Sequence, residues 1–209
     1  LYNYFMRKIG LVGFTGVGKD TVSDYLTTKG FSSFAFADPL KECVASVFGW
    51  ELDMLLGKTT ESRIWREEID HWWANKLEIP NFTPRFALRF FGTDVMRKNF
   101  HEDVWLLNME RRLEKHDNVV ISDIRFQNEI NLARKTGAEI YRVARGPDPR
   151  WMDTALLANN GDQSSVMRMT KIHQVHESDW SWIGTQLDGT IRNDGTISDL
   201  HSECERILF

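Results

Sequence analysis

The residues best suited to chemistry lie in one short run, Gly13-Phe14-Thr15-Gly16-Val17-Gly18-Lys19-Asp20-Thr21. Glycines at 13, 16 and 18 let the backbone curl until successive N–H groups face a single anion. Gly13, Thr15, Gly16, Val17 and Gly18 form that cradle. Lys19 then brings a point charge to the outer phosphates, and the Thr21 hydroxyl offers magnesium a hard oxygen. The widespread loop pattern G-x-x-x-x-G-K-[ST] has its hydroxyl directly after the lysine. Here Asp20 takes that place and the threonine follows, giving G-x-x-G-x-G-K-x-T. Apolar Ile9, Leu11, Val12 and Phe14 precede or open the loop and read as a buried strand. The helix expected from about Lys19 to Thr28 aims the positive end of its dipole at the same point. A strand, a glycine loop and a helix in this order predict a site for nucleotide phosphates.

A second group ends the apolar strand Val119–Asp123. Asp123 at a strand terminus is placed to meet a magnesium ion, directly or through water. Arg125 follows two residues later at the same edge, and Glu129 one helical turn beyond. Together they offer a metal-side acid and a phosphate-side base. A third group is Arg85, Arg89, Gly92-Thr93-Asp94 and Arg97. The arginines suit an acceptor phosphate, and Thr93 and Asp94 suit the N-terminal cap of a following helix. His173, His176, Glu177 and Asp179 do not form the helical His-Glu-x-x-His pattern of a zinc site. The run Asn75 to Glu78 lies inside a helical pattern rather than after a strand, which argues against a guanine reader.

The elements that position these groups alternate strand and helix, which predicts an α/β fold with a mainly parallel, five-stranded sheet flanked by helices. The remaining strands are read at Phe31–Asp38, Ala138–Ala144 and Gly189–Arg192. Pro39 starts a helix with Leu40, Val44 and Val47 on one face, and Gly49 stops it. Between the second and third strands the pattern is helical throughout. From Glu61 to Leu77 the residues Trp65, Ile69, Trp73 and Leu77 recur every four positions, predicting one amphipathic helix whose tryptophans pack. We read residues 6–209 as one domain, with a substrate-binding helical insertion at about 40–116 and a lid or mobile arm at about 146–182. LYNYF (residues 1–5) precedes Met6 and reads as a cloning remnant.

The chain has 209 residues, enough to bury a core, and 42% hydrophobic with 27% charged residues is ordinary for a globular protein. A net charge of −4 argues against a nucleic-acid polymer as partner, and no run is apolar and long enough to cross a membrane. Cys43 and Cys204 lie far apart, as reduced thiols in a cytoplasmic protein do. Eight tryptophans are the unusual entry in the composition.

Taken together the pieces resemble the deoxynucleoside monophosphate kinases of tailed bacteriophages, a branch of the P-loop nucleotide kinases. The matching segments run in order: GxxGxGKDT (13–21), FADPLK (36–41), GTDVMR (92–97), Trp105, SDIRFQNE (122–129), VARGP (143–147), HES (176–178) and NDG (193–195). The resemblance implies transfer of the ATP γ-phosphoryl group to a deoxynucleoside monophosphate, with magnesium, in the cytoplasm of the host cell if the protein is viral. It further implies catalytic roles for Lys19, Asp20, Arg125 and Arg145, the last as a lid arginine. ATP would lie on the loop and on Asn193 and Gly195, with magnesium on Thr21 and Asp123. The acceptor would be met by Asp38, Lys41, Arg85, Thr93, Asp94, Arg97, Trp105, Arg125, Asn128, Glu129 and His176. The resemblance also suggests a homodimer. Two other readings stay open: a P-loop kinase of another small acceptor, such as dephospho-coenzyme A or a sugar acid, and a nucleotide-dependent switch or DNA-associated ATPase.

Overall fold

The computed structural model describes residues 6–209, so the remnant expected at 1–5 lies outside it. Two compact units are present, one made of the residues up to Ala35 together with Glu110–Phe209, the other of Phe36–Met109.

The first unit is built on five parallel strands: Lys8–Val12 (β1), Ser32–Phe34 (β2), Val119–Ile121 (β3), Ala138–Ala144 (β4) and Gly189–Arg192 (β5), in the order β2-β3-β1-β4-β5. A parallel sheet needs crossover helices on its faces, so its central strands read as nearly continuous apolar runs. Ile9, Leu11, Val12 and all three residues of β3 are completely buried. On one face Ile9, Leu11 and Val120 pack with Val22 and Leu26 of the helix Lys19–Thr28 and with Leu200, Cys204 and Leu208 of the closing helix Ile197–Leu208. Burial also pushes the Cys204 thiol up to about 11, so it stays a neutral, inert core residue.

The strand expected over Phe31–Asp38 ends at Phe34. Its partner β3 offers only three rungs, and the last bond runs from the Ser122 N–H to the Phe34 carbonyl. Beyond it the chain turns into the helix Asp38–Phe48, with Pro39 in the first turn, where its missing N–H costs nothing. The arm after β4 holds two helices, Met152–Asn159 and Gln163–Lys171, forming a hairpin, then a single turn at Glu177–Asp179. Its polar composition hides a core: Ala155, Met169, Trp180, Trp182 and Ile183 are buried. The Asn159 side-chain amide donates to the Trp180 and Ile183 carbonyls, tying the hairpin to the segment that follows.

The second unit has its own core around Phe48. Trp50 stacks on that ring at 4.7 Å, and Trp73, Phe82 and Phe91 surround it at 5.1, 5.2 and 5.4 Å. The Trp73 indole donates to the Phe48 carbonyl. Val44 and Phe48 face this core, whereas Val47, expected on the same face as Val44, is exposed.

Two expectations for this unit are corrected. The single helix over Glu61–Leu77 is two helices, Thr60–Trp65 and His71–Leu77. Asp70 breaks it: its carboxylate accepts the Trp73 N–H as an N-cap and the Trp50 indole at 2.8 Å. The break turns Trp65 and Trp73 toward the core but leaves Ile69 and Leu77, predicted on the same stripe, exposed together with Ile64 and Trp72. Thr93 and Asp94 do not cap a helix either. They lie inside a π-helical stretch, Phe90–Arg97, that continues the helix Pro84–Arg89. The cap belongs to Thr83, which accepts from the Phe86 N–H at 3.0 Å.

Phe48→Ala should lower stability by about 3 kcal/mol, since it empties the centre of an aromatic cluster. A urea melt followed by tryptophan fluorescence checks this, with a midpoint close to the parent's counting against the assignment.

Candidate active site

The phosphate loop joins β1 to the helix Lys19–Thr28, and two glycines decide its path. Gly13 has φ +141°, and a Cβ there would stand 2.4 Å from the Val143 carbonyl of β4. Gly18 has φ +101°, and a Cβ there would stand 2.4 Å from the Asn193 side-chain nitrogen. Neither place can hold a side chain. Asn193 is buried just after β5; its amide donates to the Val17 carbonyl at 2.9 Å and its main-chain N–H to Ala144 at 2.8 Å. The predicted nucleotide turn thus holds the loop from beneath. Asp194 beside it accepts the Gly146 N–H, and Gly195 leads to the Thr196 cap of the closing helix. Arg145 lies exposed between β4 and Gly146.

The Lys19 ammonium donates to the Gly13 and Phe14 carbonyls at 2.8 and 2.9 Å. Burial and then the nearby Arg125 charge hold its pKa below the usual lysine value, against the opposing pull of Asp20, Asp123 and Asp179. Thr21 lies in the first turn of the helix, and Thr15 donates to the Asp179 carboxylate at 3.3 Å.

Register brings the second group to the same sheet edge. Gly10 pairs with Ile121, the last rung of β3, and Asp123 follows two residues on at that sheet edge, near enough to act on the Lys19 charge. Between β1 and β3 the strand order changes direction, the usual place for a ligand in such sheets. The Glu129 carboxylate accepts the main-chain N–H groups of Arg125 at 2.7 Å and Phe126 at 3.1 Å, fixing the turn that carries the Arg125 side chain. The Asn128 side chain accepts the Glu129 N–H, and Arg125 donates to the Ser178 hydroxyl at 3.4 Å. His176 caps the turn Glu177–Asp179 through its Nδ1.

The remaining candidates belong to the helical unit. Arg85 pairs with Glu67 at 2.8 Å, Asp94 with Lys98 at 2.6 Å, and Lys41 with Asp38 at 3.6 Å. The Trp105 indole donates to the Gly92 carbonyl, and Arg97 is half-buried in the π-helical stretch. Three residues unassigned from sequence lie at the loop: Ser178, Asp179 and Arg142. The last packs its guanidinium over Phe14 at 5.6 Å and Trp182 at 5.3 Å. An arginine within a mostly apolar strand was the available signal for it.

Thr21 and Asp123 supply hard oxygens of the kind magnesium prefers. Among the described residues no group of three His, Cys, Asp or Glu side chains could hold an ion. That fits a metal carried mainly by nucleotide phosphates and water, and does not fit an all-protein cage.

The sequence profile of the deoxynucleotide monophosphate kinase family matches residues 55–157. A provisionally named deoxynucleotide monophosphate kinase of Acanthamoeba polyphaga mimivirus is 32% identical over 155 residues, covering 67% of this chain and 75% of that protein. The chain belongs to the deoxynucleotide monophosphate kinase family. A deoxynucleoside-5′-monophosphate kinase of Escherichia phage T5 is 41% identical over 56 residues, 26% of this chain and 22% of that protein. Among solved structures, the dephospho-CoA kinase of Campylobacter jejuni has 15% identity and a TM-score of 0.42 over 97% of this chain and 95% of that one. The shikimate kinase of Aquifex aeolicus has 13% identity and a TM-score of 0.45 over 96% and 95%. The family assignment rests on the sequence relatives. The chain is therefore a nucleotide kinase, a phosphotransferase, and no helix of its described residues is long and apolar enough to cross a membrane.

Glu129 in this kinase titrates at about 7, raised chiefly by burial and then by Asp123 against the pull of two N–H donors. From about pH 4.5 to 7 the folded chain keeps a proton that the unfolded chain has released, so stability falls as pH rises through that window. Glu129→Gln keeps an oxygen for both N–H groups. It should flatten the fall and be on the order of 2 kcal/mol more stable than the parent at about pH 8, read from urea midpoints across pH.

Proposed function

We propose that this kinase transfers the γ-phosphoryl group of ATP to the phosphate of a deoxynucleoside 5′-monophosphate, giving the diphosphate and ADP. The observation that carries the reading is the braced loop with Lys19 at one sheet edge, within reach of the charges of Asp123 and Arg125, in a chain of this family. Phosphoryl transfer asks for positioning and charge neutralisation more than covalent chemistry. The loop amides and Lys19 hold the β and γ oxygens; to do so the ammonium exchanges the Gly13 and Phe14 carbonyls for phosphate. Thr21 and Asp123 would hold magnesium, which would supply charge neutralisation at the phosphates. Asp20 would orient the acceptor or water on that metal.

Arg125 takes the acceptor phosphate, whose ionised oxygen attacks without a general base. Glu129 holds the arginine's main chain in place. Arg97, Arg85 and Lys41 of the helical unit are further candidates for the acceptor, with Asp38, Thr93, Asp94, Trp105, Asn128 and His176. Arg145 closes over the donor phosphates and excludes water, which would otherwise take the phosphoryl group. The turn Asn193–Gly195 receives the adenine. We place the reaction in the host-cell cytoplasm because the named relatives are viral, and assembly as a homodimer rests on the resemblance alone.

A panel of natural and modified deoxynucleoside monophosphates, dephospho-coenzyme A and sugar acids, each with ATP and magnesium, tests the reading. Lack of turnover with every deoxynucleoside monophosphate would overturn it. Lys19→Ala should lower kcat by about a hundredfold or more with little change in melting temperature. Arg125→Ala should raise the KM for the acceptor roughly tenfold and that for ATP much less, as separate titrations of the two substrates would show.

A further inference from the structure

We propose that Asp179 is a specificity-determining residue of the donor site, and that it discriminates against nucleoside triphosphate carrying no magnesium. The proposal rests on reading Gly13–Thr21 as the triphosphate site. Asp179 comes from the arm, 164 residues along the chain from Thr15, and its carboxylate accepts the Thr15 hydroxyl at 3.3 Å. It therefore lies one hydrogen bond from a loop that offers a phosphate its N–H groups and an ammonium and that already carries the Asp20 carboxylate.

The main chain that carries this carboxylate is held in place. The Trp182 indole donates to the Asp179 main-chain carbonyl at 3.0 Å, and Trp182 is only 2% exposed. That ring packs against Phe14 of the loop at 5.2 Å and under the Arg142 guanidinium, which Asp148 in turn pairs. Ser178, the neighbouring residue, accepts from Arg125, and His176 accepts the Ser178 N–H at 3.2 Å. Loop, strand end and arm thus fasten the same turn from three sides.

A carboxylate at this distance opposes an arriving polyphosphate by its charge. Lys19 and Arg125 lie on the attractive side of the balance; Asp20, Asp123 and Asp179 lie on the other. Magnesium cancels roughly half the charge of the triphosphate, so the same carboxylate costs the metal complex little. In this proposal Asp179 acts through its charge, the hard oxygens offered to the metal being those of Thr21 and Asp123. The result is a donor site that takes the reactive, metal-bound nucleotide and rejects the metal-free one.

Calorimetric titration of the whole chain with ATP, in excess magnesium or in a chelator at matched ionic strength, tests this without turnover. Asp179→Asn should tighten metal-free ATP roughly tenfold while changing the magnesium complex by less than about threefold. Asp179→Glu, which keeps the charge, should hold the parent's ratio. An unchanged ratio in Asp179→Asn would overturn the proposal. So would a selective loss of the magnesium complex, which would make Asp179 a ligand. A parent chain that binds neither form would overturn the donor-site reading as well, whereas one that binds ATP yet phosphorylates no deoxynucleotide would refute only the acceptor assignment.

Discussion

Everything in the sheet unit depends on how closely three pieces of backbone approach one another at the end of β1. The Val143 carbonyl and the Asn193 amide both stand where a side chain on the loop would be, so positions 13 and 18 must be glycine. Freed of side chains, the loop folds onto β4 and onto the turn after β5, and the Asn193 amide binds the Val17 carbonyl. A loop with many glycines is costly to order, because each loses more freedom than any other residue. Bracing from two strands offsets that cost and fixes the N–H groups before any ligand arrives. The strict parallel register then brings the end of β3 to the same sheet edge, and Asp123 follows it there.

Charge is the second constraint. Lys19 and Arg125 repel one another across a partly buried space, and carboxylates from the loop, the segment after β3 and the arm oppose the effect on Lys19. Glu129 sits behind this group with its own ionisation resisted, accepting N–H bonds rather than pairing an arginine head. An anion entering such a site replaces an internal balance with its own charge. That is the demand of phosphoryl transfer, where stabilisation comes from dipoles and charges already in place.

The sheet and the loop were legible in the sequence because their signals are local. An apolar run buried on both faces, a glycine loop and a strand-end carboxylate each occupy fewer than about ten residues, and parallel pairing does the rest. The limits of β2 were not legible, since its length is set by the three-residue partner rather than by its own alternating phenylalanines. Asp179 escaped for a related reason. In the sequence it belongs to a histidine-containing run judged for metal binding, and its contact with Thr15 exists only through the path of the arm. Arg142 looks like an interruption of a strand until its guanidinium is seen packed over both Phe14 and Trp182.

The helical unit shows where periodicity misleads. Tryptophans at 65 and 73 and apolar residues at 69 and 77 satisfy a helix of four-residue spacing, yet the chain breaks there. Helices of six or seven residues have little stability of their own, because nucleation is costly and few bonds follow it. Their order must come from side chains large enough to bury much area per residue and to hydrogen-bond at the rim. Trp50 and Trp73 do both, each with its ring against Phe48 and its indole on Asp70 or on the Phe48 carbonyl. The high tryptophan content is thus a consequence of building a unit from short pieces, and Asp70 is the residue that selects the break over the continuous helix. The same carboxylate that ends one helical pattern also fixes the ring at the edge of the core, so chain path and packing are decided together.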